Sequence, residues 1–177
     1  AVLPFRVSNK QFIINKIPAD KDRIIRILSQ ELTSYLTQTR KFFVADREFI
    51  SEILSERAVA KNKSASMEEM VKIGNDLAVD LLVVGVVEDI SNEAVTKKFK
   101  TLNKTFTSNK GVIEISYRII DVSTRQVKLS DLYVSDNGSE TTNPDTGMIQ
   151  NASLSIGNYI LSAIYPLRVE AIEDETL

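Results

Sequence analysis

The sequence predicts a three-layer α/β domain: one mixed sheet of about five strands with helices on its faces. Three observations carry that reading. Leu81 to Val87 is near-continuously apolar, as a strand covered on both faces is. Val112 to Asp121 alternates, with Ile113, Ile115, Tyr117 and Ile119 on one face and Glu114, Ser116 and Arg118 on the other, as a strand with one wet face does. Several segments between and around these strands repeat apolar residues at helical spacing.

In chain order, residues 1–8 read as a first strand through Val2, Leu3, Phe5 and Val7, with Pro4 pointing to an edge position. Pro18 and Asp20 announce a helix over about 20–38 whose face is Ile25, Leu28, Leu32, Tyr35 and Leu36. Phe42 to Ala45 reads as a short strand. Asp46 then accepts hydrogen bonds from the free N–H groups of a helix burying Phe49, Ile50, Ile53 and Leu54. After the polar link Lys61-Asn62-Lys63-Ser64, Ser66 and Glu69 form a capping box. The helix it opens turns Met70, Ile73, Gly74 and Leu77 inward. The strands 81–87 and 112–121 follow. Asp121 to Gln126 is turn-like, and Val127 and Leu129 continue a paired strand. Asn143-Pro144-Asp145-Thr146 opens a last helix carrying Ile149, Ala152, Ile156, Ile160 and Ala163, which Tyr165-Pro166 stops. Residues 1–165 thus form one domain, and 166–177 begin a further C-terminal extension, a strand from Leu167 to Ile172.

Composition narrows the function. With 43% hydrophobic and 26% charged residues among 177, the chain has the material for a packed core. A net charge of −2 gives no general pull toward nucleic acid or an acidic membrane surface. The absence of His and Cys removes acyl-transfer triads, the usual neutral-pH base and the commonest metal ligands. No apolar run approaches the ~20 residues of a membrane helix. The chain starts without Met inside a strand-like run, so a preceding signal or lipid anchor stays open. The six glycines form no phosphate-binding cluster. No catalytic residues, cofactors or metals are expected from this composition, although a carboxylate-only active site stays open.

Two segments stand out as candidate sites. Residues 95–110 carry Lys97, Lys98, Lys100, Lys104 and Lys110 with Phe99 and Phe106 interleaved and no acid. A hairpin turning near Leu102-Asn103 would project this strip beyond the sheet. It is a solvated ribbon whose lysines discourage edge pairing or a partner-binding strip of Lys97, Lys98, Phe99, Lys100, Lys104 and Phe106; a nucleic-acid contact is disfavoured because the rest of the chain is not basic. Residues 131–145 read as an acidic loop carrying Asp131, Asp136, Glu140 and Asp145 without Lys or Arg. Connectivity puts it at the same end of the sheet. The opposite charges either neutralise each other within one molecule or make Asp136, Glu140 and Asp145 candidates for self-association with a neighbour's basic strip, head to tail. The spacing misses a calcium loop. Asp46 reads as a helix cap, Arg47 as a surface ion pair, and Tyr117, Tyr133 and Tyr159 as core or half-buried positions with wet hydroxyls. Gly85, inside a strand, signals a bulge or close packing.

Three phrases carry a family resemblance. They are Phe43 to Glu56 with its Asp46-Arg47 and Ile53-Leu54, Gly74 to Val87 with its Leu81 to Gly85, and Ile115 to Val127 with its Asp121-Val122-Ser123-Thr124 turn. With the opening Ala1-Val2-Leu3-Pro4-Phe5, the chain resembles the family of the curli secretion lipoprotein CsgG, whose core fold is shared with the N-terminal domain of TolB (an anticodon-binding-like α/β architecture). The resemblance implies a non-catalytic protein of the bacterial cell envelope, periplasmic or anchored to the outer membrane and facing the periplasm. It would assist assembly or secretion through protein partners, without nucleic acid. The alternatives it leaves are a subunit of an oligomeric outer-membrane secretion channel, a homo-oligomer, and a monomeric adaptor that activates an envelope complex. The channel inserts two β-hairpins per subunit. At the corresponding places this chain has the lysine-rich 93–111 and the short, polar 135–145, so the scaffold is expected without the pore.

Overall fold

A computed structural model describes residues 1–14, 17–56, 66–99, 104–137 and 144–166, with the backbone alone for several of them, including 93–99, 104–110, 136–137 and 144–146. The sheet is built around a long hairpin, β4 (Leu81–Phe99) and β5 (Lys104–Asp121). A sharp turn joins β5 to β6 (Gln126–Asn137), so these three strands form an antiparallel meander. Against the other side of β4 lie β1 (Arg6–Val7) and β2 (Ile13–Ile14), both parallel to it, and β2 pairs with β3 (Ile17–Pro18). The sheet is therefore mixed, ordered β3-β2-β4-β5-β6 with β1 also on β4. Leu3 N–H donates to Val83 O, and Ser8 N–H to Val87 O, which runs the whole first segment along β4. Val2, Leu3 and Phe5 are buried, as their strand reading expects.

Helices cover both faces. On one lie α1 (Lys21–Gln38) and α4 (Pro144–Ile164), burying Ile24, Leu28, Leu32 and Leu36 and Ile149, Ala152, Ile156 and Ile160. These meet Val83, Val87, Ile90, Ile113, Ile115, Tyr117 and Ile119 of the sheet. On the other lie α2 (Arg47–Glu56) and α3 (Met67–Asp76), packed on Leu82, Val84, Ile120 and Val122 at one end only. The caps match the sequence. Asp46 Oδ1 accepts from Glu48 N–H at 2.8 Å and Asp20 Oδ1 from Arg23 N–H at 3.0 Å; Ser66 and Glu69 bond reciprocally. The helical faces hold with small departures. Ile25 is only half-buried, Phe49 and Ala163 are exposed, and Ile24, Ser29 and Val71 are buried in addition.

Three strand expectations need correction. Phe42 to Ala45 forms no strand, and Phe43 is fully exposed. β4 already pairs with β5 on one side and with β1 and β2 on the other, so the segment instead seats Phe42 and Val44 at the core margin. The β2–β3 hairpin was not foreseen. Residues 131–137 are not loop but the second half of β6, paired as far as Gly111↔Asn137. The link 61–64 and the strand expected over 167–172 lie outside the described residues.

A bulge after Val87 aligns the core. Glu88 is the extra residue between the pairs Val87↔Ile115 and Asp89↔Glu114. Before it, odd positions of β4 face α1 and α4; after it, Ile90 and Asn92 do, so apolar residues keep to one face despite the change of parity. Glu88 is itself secured, its carboxylate accepting from Ser116 Oγ at 2.8 Å and its carbonyl from Ser8 Oγ at 2.8 Å. Gly85 lies one turn of the pleat earlier and is the close-packing site: a Cβ there would collide with the Phe5 ring.

The β5–β6 turn carries a charge-dependent anchor. Asp121 Oδ1 accepts from Ser123 Oγ at 2.7 Å and Thr124 N–H at 2.9 Å, and Oδ2 lies 3.1 Å from Lys128 Nζ. The Ser123 hydroxyl first, then the Thr124 amide and the Lys128 ammonium, hold this carboxyl well below its usual range. Its contribution to stability is thus complete above the unfolded value of about 3.9 and is lost as pH falls through the depressed folded value. Asp121→Asn is expected to lower Tm at pH 7 and to flatten the fall of Tm below about pH 4, measured by calorimetry across a pH series.

Candidate interaction site

The hairpin expected from the lysine-rich segment is present. β6 ends opposite Gly111 and β2 opposite Asn92. Beyond that point, among the described residues, β4 and β5 pair only with each other, from Glu93↔Lys110 to Phe99↔Lys104. At ~3.3 Å per residue this two-stranded ribbon extends roughly 20 Å past its neighbours. Lys97 pairs in register with Phe106, Lys98 with Thr105, and Phe99 with Lys104. Lys100 lies outside the described residues, as do the side chains of the other candidates on the ribbon.

The acidic candidates stand at the foot of that ribbon. Asp136 is in β6, opposite Val112, rather than in a loop, because the ladder with β5 continues to Asn137. Asp145 is in the first turn of α4. Glu140 lies outside the described residues. The backbone therefore brings the basic ribbon and two of the three acidic candidates to one end of the sheet.

The ribbon leaves the domain at Asn92 and Gly111. Both are buried, and a Cβ on Gly111 would collide with Met148 of α4, so the helix closes directly on the strand there. Asn92 is 3% exposed, yet among the described residues neither Oδ1 nor Nδ2 has a hydrogen-bond partner.

Two further features escaped the sequence reading. The part of the α2/α3 face that those helices leave uncovered is half-exposed and holds a depression of about 170 Å³ among Arg6, Val86, Ser116, Arg118 and Ser130. It is smaller than the ~300–1,000 Å³ of usual ligand sites. The second is the outer edge of β6, which ends the sheet among the described residues. On this strand Asp131 Oδ2 accepts from the Tyr117 hydroxyl at 3.3 Å while Oδ1 accepts from Leu132 N–H at 2.8 Å. Burial first, and then the Asp131 carboxylate, push the Tyr117 hydroxyl well above its ordinary range; Tyr159 adds a smaller effect. Tyr117 is thus fully buried, Tyr133 half-buried and Tyr159 54% exposed. Among the described residues no group of His, Cys, Asp or Glu is arranged to hold a metal, and no helix is long and apolar enough to cross a membrane.

This mixed sheet between two helical layers is an α/β architecture found in bacterial proteins of known structure. The hypothetical protein CT253 from Chlamydia trachomatis superposes with a TM-score of 0.54 at 12% identity, over 94% of this chain and 96% of its own. Lipoprotein GNA1162 from Neisseria meningitidis gives 0.52 at 13%, over 91% and 96%. Protein XCC0632 from Xanthomonas campestris gives 0.50 at 9%, over 92% and 82%. At these identities the likeness is one of fold. No curated protein matches by sequence. The family model described as curli production assembly/transport component CsgG matches residues 1–148, and the chain belongs to that family.

Proposed function

We propose that this protein is a non-catalytic accessory factor of the bacterial cell envelope, acting through protein–protein contacts on the periplasmic side. The observation that carries the reading is membership, over residues 1–148, in a family described by assembly and transport. The projecting basic ribbon supplies a contact element suited to an extended or acidic partner surface. A similar fold in a neisserial lipoprotein is compatible with an anchored setting.

The channel alternative is weaker on physical grounds. A lipid-facing strand needs ~9–11 residues with alternate apolar side chains. The paired ribbon strands, 93–99 and 104–110, are shorter and lysine-rich. Only residues 138–143 separate β6 from α4, too few for a second spanning hairpin. In planar bilayers the protein is expected to give no conductance steps and, against a panel of hydrolase substrates, no turnover. Unitary conductance would favour the channel, and turnover would overturn the non-catalytic reading.

One observation favours a second reading, a head-to-tail homo-oligomer: Lys97 and Lys98 share an end of the sheet with Asp136 and Asp145. Such contacts weaken with salt. An assembly that dissociates between low and high salt, and that Lys97, Lys98 and Lys100 changed to Glu abolish, would support it.

A further inference from the structure

We infer that the outer edge of β6 docks a second copy of the same strand, antiparallel about a twofold axis at Tyr133, and that Asp131 covers this edge in the single chain. The inference rests on the reading that the protein works by protein contact, and it names one such contact. Among the described residues β6 is the last strand of the sheet; it is 12 residues long and without proline. From Leu129 to Asn137 it pairs with β5 without interruption. It therefore presents a long, regular edge, the kind that folded proteins ordinarily block.

The structure shows which backbone groups face outward. Leu132 N–H is donated to the Asp131 carboxylate, so it is not spent on β5. In an antiparallel ladder the two edges of a strand alternate residue by residue. Ser130, Leu132, Val134 and Asp136 therefore direct their N–H and C=O groups away from the sheet, while Asp131, Tyr133 and Ser135 pair with β5. On the sheet face that no helix covers at this edge, Leu132 and Val134 are each 53% exposed.

The sequence of β6 is complementary to itself at one register. With the axis at Tyr133, Leu132 faces Val134 of the second copy, Ser130 faces Asp136, and Asp131 faces Ser135, each twice. All outward amides and carbonyls from 130 to 136 then find partners, four aliphatic side chains meet, and no like charges oppose. With the axis at Asp131, two carboxylates would face each other. With the axis at Leu132, Val134 would face Ser130 and only the two leucines would touch. Docking transfers the Leu132 N–H from the Asp131 carboxylate to the Val134 carbonyl of the second copy. Asp131 keeps its bond from Tyr117.

The test is the monomer–dimer equilibrium of the 177-residue chain, by sedimentation equilibrium over a concentration series at low and high salt. Apolar strand pairing predicts a dimer that high salt leaves intact, unlike the charged ribbon contact. Asp131→Ala is expected to shift the equilibrium about tenfold toward dimer, because the edge donor is freed. Val134→Pro removes only an outward N–H, so the circular dichroism of the fold should persist while the dimer is lost. Tyr133→Cys, in a chain with no other cysteine, should oxidise to a disulfide-linked dimer, and Lys128→Cys should not. Wild type and Asp131→Ala both monomeric at several hundred micromolar would overturn the inference. So would a dimer that survives in Val134→Pro. Either failure leaves the accessory-factor reading standing, since that is judged by capture of envelope partners.

Discussion

Phe5→Ala is expected to be among the most damaging single changes, costing about 3–5 kcal/mol. The ring is 2% exposed and belongs to the core between α1 and the sheet. Its position depends on Gly85, directly beneath it on β4, where even a methyl group would overlap the ring and crowd the Ser116 carbonyl. Gly85→Ala is therefore expected to cost roughly 1–3 kcal/mol as overpacking. The pair should be strongly coupled. Phe5→Leu with Gly85→Ala should be less destabilised than the sum of the single changes, because the smaller side chain clears the methyl group. Urea denaturation of the four proteins gives the cycle. Additive losses would mean that the glycine serves something other than the ring.

Asn92→Leu is expected to stabilise the protein by about 1–2 kcal/mol, an unusual sign for a buried substitution. An unpaired buried amide costs ~1–3 kcal/mol, and leucine keeps the branch at Cγ while removing both polar atoms. Some of the gain is offset by leucine's larger volume in a closely packed position. Asn92 sits where the ribbon leaves the domain, opposite Gly111 and beside Ile14. A residue that lowers stability at the root of the candidate contact element fits a functional rather than a structural demand. A melting point that falls in Asn92→Leu would show that the amide is satisfied in solution and remove that argument.

Much of the domain was legible in the sequence because its helices announce themselves locally. Asp20, Asp46 and the Ser66–Glu69 box each sit where the backbone needs an acceptor, and the apolar faces repeat at helical spacing. The strand errors share a cause: pairing is decided by neighbours remote in sequence. Phe42 to Ala45 has the composition of a strand, but β5 on one side and β1 and β2 on the other already occupy both edges of β4. Ile13–Ile14 and Ile17–Pro18 are too short to carry a period, although a two-residue link between apolar runs was a usable hairpin signal. Residues 131–137 looked like an acidic loop because an edge strand with a half-exposed face tolerates Asp and Ser at alternate positions. The bulge at Glu88 was invisible, since it depends on which side of β4 meets α1 and α4.

The site was legible to a different degree. The lysine run and the absence of acids marked the ribbon, and two acidic candidates do stand at its foot. The exposed edge of β6 escaped notice because its signal is a hydrogen bond, from Leu132 N–H to Asp131, rather than a residue pattern.

We propose that this domain holds envelope proteins through its basic ribbon. The most direct test is affinity capture from bacterial envelope extract, comparing wild type with a folded variant carrying Lys97, Lys98 and Lys100 changed to Glu. Wild type is expected to retain a defined set of proteins, identified by mass spectrometry, and the variant to lose them at unchanged Tm. Retention of the same set by both proteins, or of none by wild type, would contradict it.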